Sequence, residues 1–161
     1  MSRSTYETFY TQLATRNDLP ALSPRLAHDI ELSDRIMRSG LSEAVVCGLL
    51  LLNDDYQTAH PIAQGLEGND GSYWHGIIHR IESDYWNAKY WFKRIGEHAL
   101  LTEMAQLPEA KSFVVGGKWI PLAFVDGCER SVQQKLDGTQ LRQLQLAEIK
   151  MLLVHCRRGQ V

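Results

Sequence analysis

Residues 71–98 read GSYWHGIIHRIESDYWNAKYWFKRIGEH. The segment holds three of the four Trp, three of the six Tyr and three of the six His. Large aromatics interleaved with His, Arg, Asp, Asn and Glu are an unusual core composition, and they suit a pocket or a tight helix–helix joint. The middle of the segment, Ile81-Glu-Ser-Asp84-Tyr85-Trp-Asn-Ala88, aligns with Leu52-Asn-Asp-Asp55-Tyr56-Gln-Thr-Ala59 at a spacing of 29 residues. Each copy reads as helix, Asp-Tyr turn, helix. The small Ala in the first turn of the second helix lets the paired helices approach closely.

Outward from this segment the pattern is helical nearly throughout. Tyr6, Phe9, Tyr10 and Leu13 recur at helical spacing, which predicts a helix over 5–15. Ser23-Pro24 offers an N-cap with proline at the first helical position, and that helix is expected to run to Met37. Ser42-Glu43 opens another through Leu52, and a further helix covers 58–66, with Pro61 in its first turn or kinking it. Residues 67–71, with two glycines, Asn69 and Asp70, read as a break. Helices over 72–82 and 85–96 follow, then a small hairpin near 113–120 around Gly116-Gly117, and helices over 121–136 and 139–158.

Helical-hairpin repeats of roughly 30 residues build solenoids of the TPR and Sel1 kind. The second copy resembles a Sel1 unit through Asp84-Tyr85, Ala88, Trp91 and Phe92. Two copies make a short array that needs caps, which the flanking helices would supply. The expected fold is all-α: a compact bundle of paired antiparallel helices in a single domain over 1–161, TPR- or Sel1-like at its centre.

Composition narrows the function. A 161-residue chain with 44% hydrophobic and 22% charged residues is large enough for one real core. A net charge of -2 without a basic stripe argues against nucleic-acid binding. The longest apolar run, 49–52 preceded by 44–47, falls far short of a membrane span of ~20 residues. The polar N-terminus does not read as a secretory leader. Cys47, Cys128 and Cys156 are scattered and outside any CxxC spacing, which suits a reducing cytoplasm and not a thiolate metal site.

The repeat provides an internal control for the site. Across it Val46 becomes His75, Leu50 becomes His79 and Asn53 becomes Glu82. Positions 75, 79 and 82 share one helix face, so a face that is aliphatic in one copy is His/His/Glu in the other. Two imidazoles at i, i+4 can reach one metal ion. The chain lacks His-Glu-x-x-His and the Glu-x-x-His pairs of di-iron bundles, and no third and fourth ligand stands out, so neither metal nor cofactor is expected. Asp126 and Glu129, in Phe124-Val-Asp-Gly-Cys-Glu129, could add oxygen atoms or a general base. The plainer reading is a hydrogen-bonded joint, with Glu82 pairing Arg80. On the next helix Asn87, Tyr90 and Arg94 share a face, and Arg94 is suited to gripping a carboxylate or phosphate. A salt bridge from Arg94 to Asp84 or Asp126 is the alternative. His98 follows Gly96, near a helix C-terminus that would favour its protonated form. His28, His60 and His155 read as ordinary satisfied polar residues.

The run from Ser72 to His98 also resembles a family of small bacterial and fungal proteins carrying Trp-His-x-Ile-x-His-Arg-x-Glu-x-Asp-Tyr-x-Asn-x-Lys-Tyr-Trp and closing on Gly-x-His. Gly48–Tyr56, Ala59-His60 and Ala123–Glu129 resemble its flanks. The chain departs from it at Ala99, where Pro is expected, and at Gly127. The resemblance implies that the motif is one unit and lends no reaction.

These readings point to a polar pocket. His75, His79 and Glu82 would be its catalytic groups, a histidine as acid/base with Glu82 as orienter. Trp74, Tyr85, Asn87, Tyr90, Trp91, Arg94, His98, Asp126 and Glu129 would bind the ligand. The function expected is binding, and conversion, of a small polar or anionic molecule. The alternatives are a non-catalytic helical module binding a partner protein or a second copy, and a metal-dependent enzyme using His75 and His79.

Overall fold

The computed structural model describes residues 4–159. Among them are nine α-helices: α1 Thr5–Ala14, α2 Ile30–Met37, α3 Glu43–Leu52, α4 Tyr56–Gly65, α5 Gly68–Ile81, α6 Tyr85–Phe92, α7 Ala99–Met104, α8 Pro121–Gln133 and α9 Thr139–Arg158. A 3₁₀ helix, Pro108–Phe113, leads into a hairpin of β1 Val114–Val115 and β2 Lys118–Trp119. The fold is all-α, and the hairpin expected near 113–120 is its only sheet among the described residues. Its turn is Gly116-Gly117, both with positive φ (58° and 74°), as a tight hairpin turn requires. Among the described residues no helix is long and apolar enough to cross a membrane.

The core is built around α3. Every residue from Val45 to Leu52 is buried, so this helix is apolar on all sides and must be covered all round. Helices α1, α2, α4, α5 and α9 supply that cover. The pairs α3–α4 and α5–α6 are joined by three-residue turns, so their members run antiparallel. The two turns have the same geometry. Asp54 and Ser83 both take left-handed φ, 60° and 63°. Asp55 caps α4 by accepting from the Thr58 N–H, and Asp84 caps α6 by accepting from the Asn87 N–H. Ala59 and Ala88 are both fully buried, where the paired helices meet.

Several boundaries differ from the sequence reading. The helix expected from Ser23 begins only at Ile30, capped by Asp29 accepting from the Leu32 N–H. The preceding segment is held to the body by its carbonyls instead. Arg142 donates to the carbonyls of Leu19 and Pro20, Gln145 to that of Leu22, and Asn53 to that of Asp29. These tertiary bonds supply partners for carbonyls that lie outside any helix. Pro61 sits in the second turn of α4, and the helix ends four residues later at Gly65. The expected break at 67–71 is only Leu66-Glu67, because α5 starts at Gly68. A Cβ at Gly71 would lie 2.5 Å from the Leu66 carbonyl oxygen, so glycine there lets the first turn of α5 fold directly over the connection. The helix expected to Gly96 ends at Phe92, and α7 and the 3₁₀ helix, both short, carried no periodicity to reveal them.

A polar network lies inside the apolar body. Arg80 of α5 donates from Nη2 to Glu148 Oε2 of α9 at 2.6 Å, both side chains being essentially inaccessible. Tyr73 and Trp119 donate to Glu148 Oε1 at 2.9 and 3.2 Å, and Arg80 Nε donates to Gln145 at 3.1 Å. The guanidinium also stands 4.6 Å from the Phe124 ring centroid. Burial and the adjacent Glu148 carboxylate hold the Tyr73 hydroxyl well above its ordinary pKa, so it stays a donor. Arg80 therefore pairs with Glu148 and not, as the sequence allowed, with Glu82. Removing one partner strands a buried charge and costs about 3–5 kcal/mol, on the order of 10 °C in melting midpoint for a chain of this size. Arg80→Met and Glu148→Leu should each show that loss in calorimetry, and the double variant should recover part of it. Additive losses in the double variant would mean that the two charges are not coupled.

Candidate functional site

Three adjoining helices build the site. On α5, His75 and His79 are one turn apart, and Glu82 is the residue that ends the helix. The two-residue connection between α4 and α5 folds α4 back so that His60 meets this face. Helix α6, returning after the Asp84 cap, supplies Trp91.

The geometry is close. His60 Nδ1 lies 2.7 Å from Glu82 Oε1, and His60 Nε2 lies 3.1 Å from His75 Nε2. The rings of His75 and His79 stack at 4.9 Å, and that of His60 stands edge-on to both. The His75 ring lies flat against Trp91, with centroids 4.1 Å apart. His79 Nδ1 is 3.4 Å from Glu82 Oε2 and 3.6 Å from Asp84 Oδ2, yet it is buried without a hydrogen bond. The His75 residue is 4% exposed, and the side chains of His79 and His60 are 11% and 23% exposed. Burial pushes the His75 pKa down to about 4, and the neighbouring imidazoles His79 and His60 add to the effect. Burial and His60 also lower that of His79, against the opposing pull of Glu82 and Asp84. Both rings are neutral near pH 7.

Proton placement follows from these contacts. The Glu82 carboxylate only accepts, so the His60 proton sits on Nδ1 and its Nε2 presents a lone pair to His75. Glu82 thus hydrogen-bonds His60 and lies 3.4 Å from His79 Nδ1 without a hydrogen bond to it.

The other expected site residues are spread more widely. Trp74 walls the core and not a pocket: it is fully buried, and a Cβ at Gly48 would come within 2.9 Å of its ring. Tyr85 packs part of its ring on the core. Asn87 donates to Asp84 at 2.7 Å. Arg94 donates to the Tyr90 hydroxyl at 3.3 Å, and its guanidinium lies 5.3 Å from the Tyr90 ring and 5.7 Å from that of Trp91. Asp126 pairs with Lys89, and Glu129 accepts from Gln133. Neither carboxylate enters the histidine cluster.

His98 belongs to a second group. It does not follow a helix C-terminus but forms the N-cap of α7, where its Nδ1 accepts from the Leu100 N–H at 3.1 Å. Its Nε2 lies 2.8 Å from Asp70 Oδ1, and His155 Nε2 lies 3.3 Å from the same oxygen.

His60 is the residue that sequence reasoning passed over. Its spacing from His75 carries no helical period, because the two meet across a helix pair. The pointers were its place directly after the small, interface-forming Ala59 and the resemblance of Ala59-His60 to the flank of the family motif. Comparison of the chain with family models, curated proteins and solved structures finds no match.

The depressed imidazole pKa values set a pH dependence in metal-free protein. In the unfolded chain these histidines protonate near pH 6.5, but in the folded protein only at lower pH, about 4 for His75. Between those values the unfolded state binds more protons, so stability is complete above about pH 6.5 and falls as the pH drops towards 4. Urea midpoints measured from pH 7.5 to 4 should show that fall, and His75→Gln should flatten it. Parallel profiles for the two proteins would mean that His75 is not held neutral.

Proposed function

We propose that this chain binds and converts a small polar or anionic molecule at Arg94, beside Trp91. The observation that carries this reading is the shared indole: His75 stacks on Trp91, and the Arg94 guanidinium lies against the same ring. Among the described residues Arg94 has no carboxylate partner, which leaves most of its donors for a ligand. Aromatic contact on two rings limits its motion, so little further ordering is needed when it grips an anion in fork geometry. It lines an open recess of about 430 Å³ with Gly68, Asn69 and Ser72. Ser72 is one turn before His75 on α5, so this recess adjoins the end of the helix face that carries the imidazoles. A neutral imidazole there is a competent proton acceptor, and the route His75, His60, Glu82 offers a path for the proton. The three free, buried cysteines fit the reducing compartment that the cytoplasmic reading requires.

A second reading is supported by a different observation. The matching turns at 53–55 and 82–84 fit a short helical repeat of the Sel1 or TPR kind, and the exposed face of α6 carries Trp86, 76% exposed, stacked on Tyr90. Such a face suits a partner protein or a second copy.

A thermal-shift panel of small carboxylates and phosphates, followed by calorimetric titration of any hit, separates the two. Under the first reading a panel member raises the midpoint, and Arg94→Gln abolishes that rise. The same substitution leaves the ligand-free midpoint within about 2 °C, since an exposed side chain contributes about 0.5 kcal/mol or less. Equal binding by Arg94→Gln would overturn the role of Arg94. No hit from the panel, together with a dimer in light scattering that Trp86→Ala dissociates, would establish the second reading.

A further inference from the structure

We propose that His60, His75 and His79 together bind one divalent transition-metal ion of the zinc class, with Glu82 as the outer carboxylate that orients His60. The proposal goes beyond the small-molecule reading and does not depend on Arg94.

Distance is the first support. One ring nitrogen from each of the three histidines lies within 4.8 Å of the other two. Nitrogens bound at about 2.0–2.1 Å to a tetrahedral ion sit about 3.3 Å apart. His60 Nε2 and His75 Nε2 are 3.1 Å apart, so a shift of a few tenths of an ångström seats an ion between them. In metal-free protein a proton on His75 Nε2 bridges these nitrogens; the ion displaces it and His75 carries its proton on Nδ1 instead, so that both Nε2 lone pairs face the ion.

Tautomer is the second. A metal-binding histidine gives its other N–H to a carboxylate or carbonyl, which aims the lone pair at the metal. Glu82 does this for His60 at 2.7 Å. The second group, Asp70 with His98 and His155, has similar residue types at similar spacing but fails this test. There the Leu100 N–H occupies His98 Nδ1, which forces the proton onto Nε2, the nitrogen facing Asp70. A metal on that nitrogen would require an imidazolate. In the first cluster the His60 lone pair already faces His75, and among the described residues no backbone N–H is bonded to His75 Nδ1, so that ring's proton is free to change nitrogen.

The unfilled valence of the first cluster is the third. His79 Nδ1 is a buried polar atom without a hydrogen bond, which native proteins rarely leave uncompensated. Three imidazoles leave a fourth position for water or substrate, as in catalytic rather than structural zinc sites. Soft ligands are absent, because the thiols of Cys47, Cys128 and Cys156 are all buried elsewhere.

The test uses untagged full-length protein, since a polyhistidine tag would itself bind the ion. Chelated protein is titrated with Zn²⁺ by calorimetry and with Co²⁺ by visible absorption. We expect one equivalent of each, with the intense visible bands of four-coordinate cobalt. His60→Gln, His75→Gln and His79→Gln should each weaken Zn²⁺ binding at least about 100-fold, and Glu82→Gln about 10–100-fold. His155→Gln should bind as the parent does. Should a variant misfold, histidine ¹⁵N spectra of the parent decide the matter: Zn²⁺ must shift the side-chain nitrogens of His60, His75 and His79. Substoichiometric binding, binding retained by His75→Gln/His79→Gln, or shifts confined to His28, His98 and His155 would overturn the proposal. Loss of anion binding in Arg94→Gln with Zn²⁺ affinity unchanged supports both readings separately. Zn²⁺ binding without any anion binding defeats only the earlier one.

Discussion

The buried pair of Arg80 and Glu148 is the constraint on which the rest of this structure depends. A guanidinium and a carboxylate removed from water are tolerable only when each finds charged and hydrogen-bonding partners in fixed places. Tyr73, Trp119 and Gln145 supply those partners from α5, the hairpin and α9. Tyr73 and Arg80, seven residues apart, lie on one face of α5, so the network sets the rotation of that helix about its own axis. Once Arg80 faces α9, His75 and His79 must face α4 and α6. The site is thus aimed by a contact that contains none of its own residues. The consequence of the charged pair is a defined orientation of α5 against α9.

The same helix shows how neighbouring atoms decide what a histidine does. His75 and His98 are both buried, both lie against aromatic rings and both belong to a trio with a carboxylate nearby. A backbone N–H on Nδ1 makes His98 a helix cap with its proton committed to Asp70. A carboxylate on Nδ1 of His60 leaves that ring's other nitrogen open towards His75. The difference is the sign of the partner, donor or acceptor, at one nitrogen. It separates a structural joint from a candidate centre more sharply than burial or residue type does.

Much of the fold was legible along the chain. The Asp-Tyr turns announced themselves through Asp55 and Asp84, because an aspartate before a helix accepts the free N–H two or three residues on. The hairpin followed from Gly116-Gly117, and α9 from its uninterrupted amphipathic spacing. The segment before α2 was misread because Ser23-Pro24 is a sound helix start in isolation. Nothing nearby reveals that Arg142 and Gln145, some 120 residues later, hold its carbonyls. Of the site, His75, His79 and Glu82 were legible as one helical face, since i, i+4, i+7 spacing fixes which side chains align.

By itself, then, the sequence determined what a single helix or turn can determine: the all-α class, the capped hairpins, and the line of two histidines and a glutamate on α5. These depend on hydrogen bonds and side-chain directions within a few residues, which the local order of residues specifies. Tertiary structure alone decided that His60 completes the cluster, that Arg80 belongs to Glu148 and not to Glu82, and that Trp74 walls the core while Trp91 walls the site. Those outcomes depend on how helices cross and rotate against each other. Crossing and rotation are set by close packing and by the pairing of buried charges across the whole chain, which no local window contains.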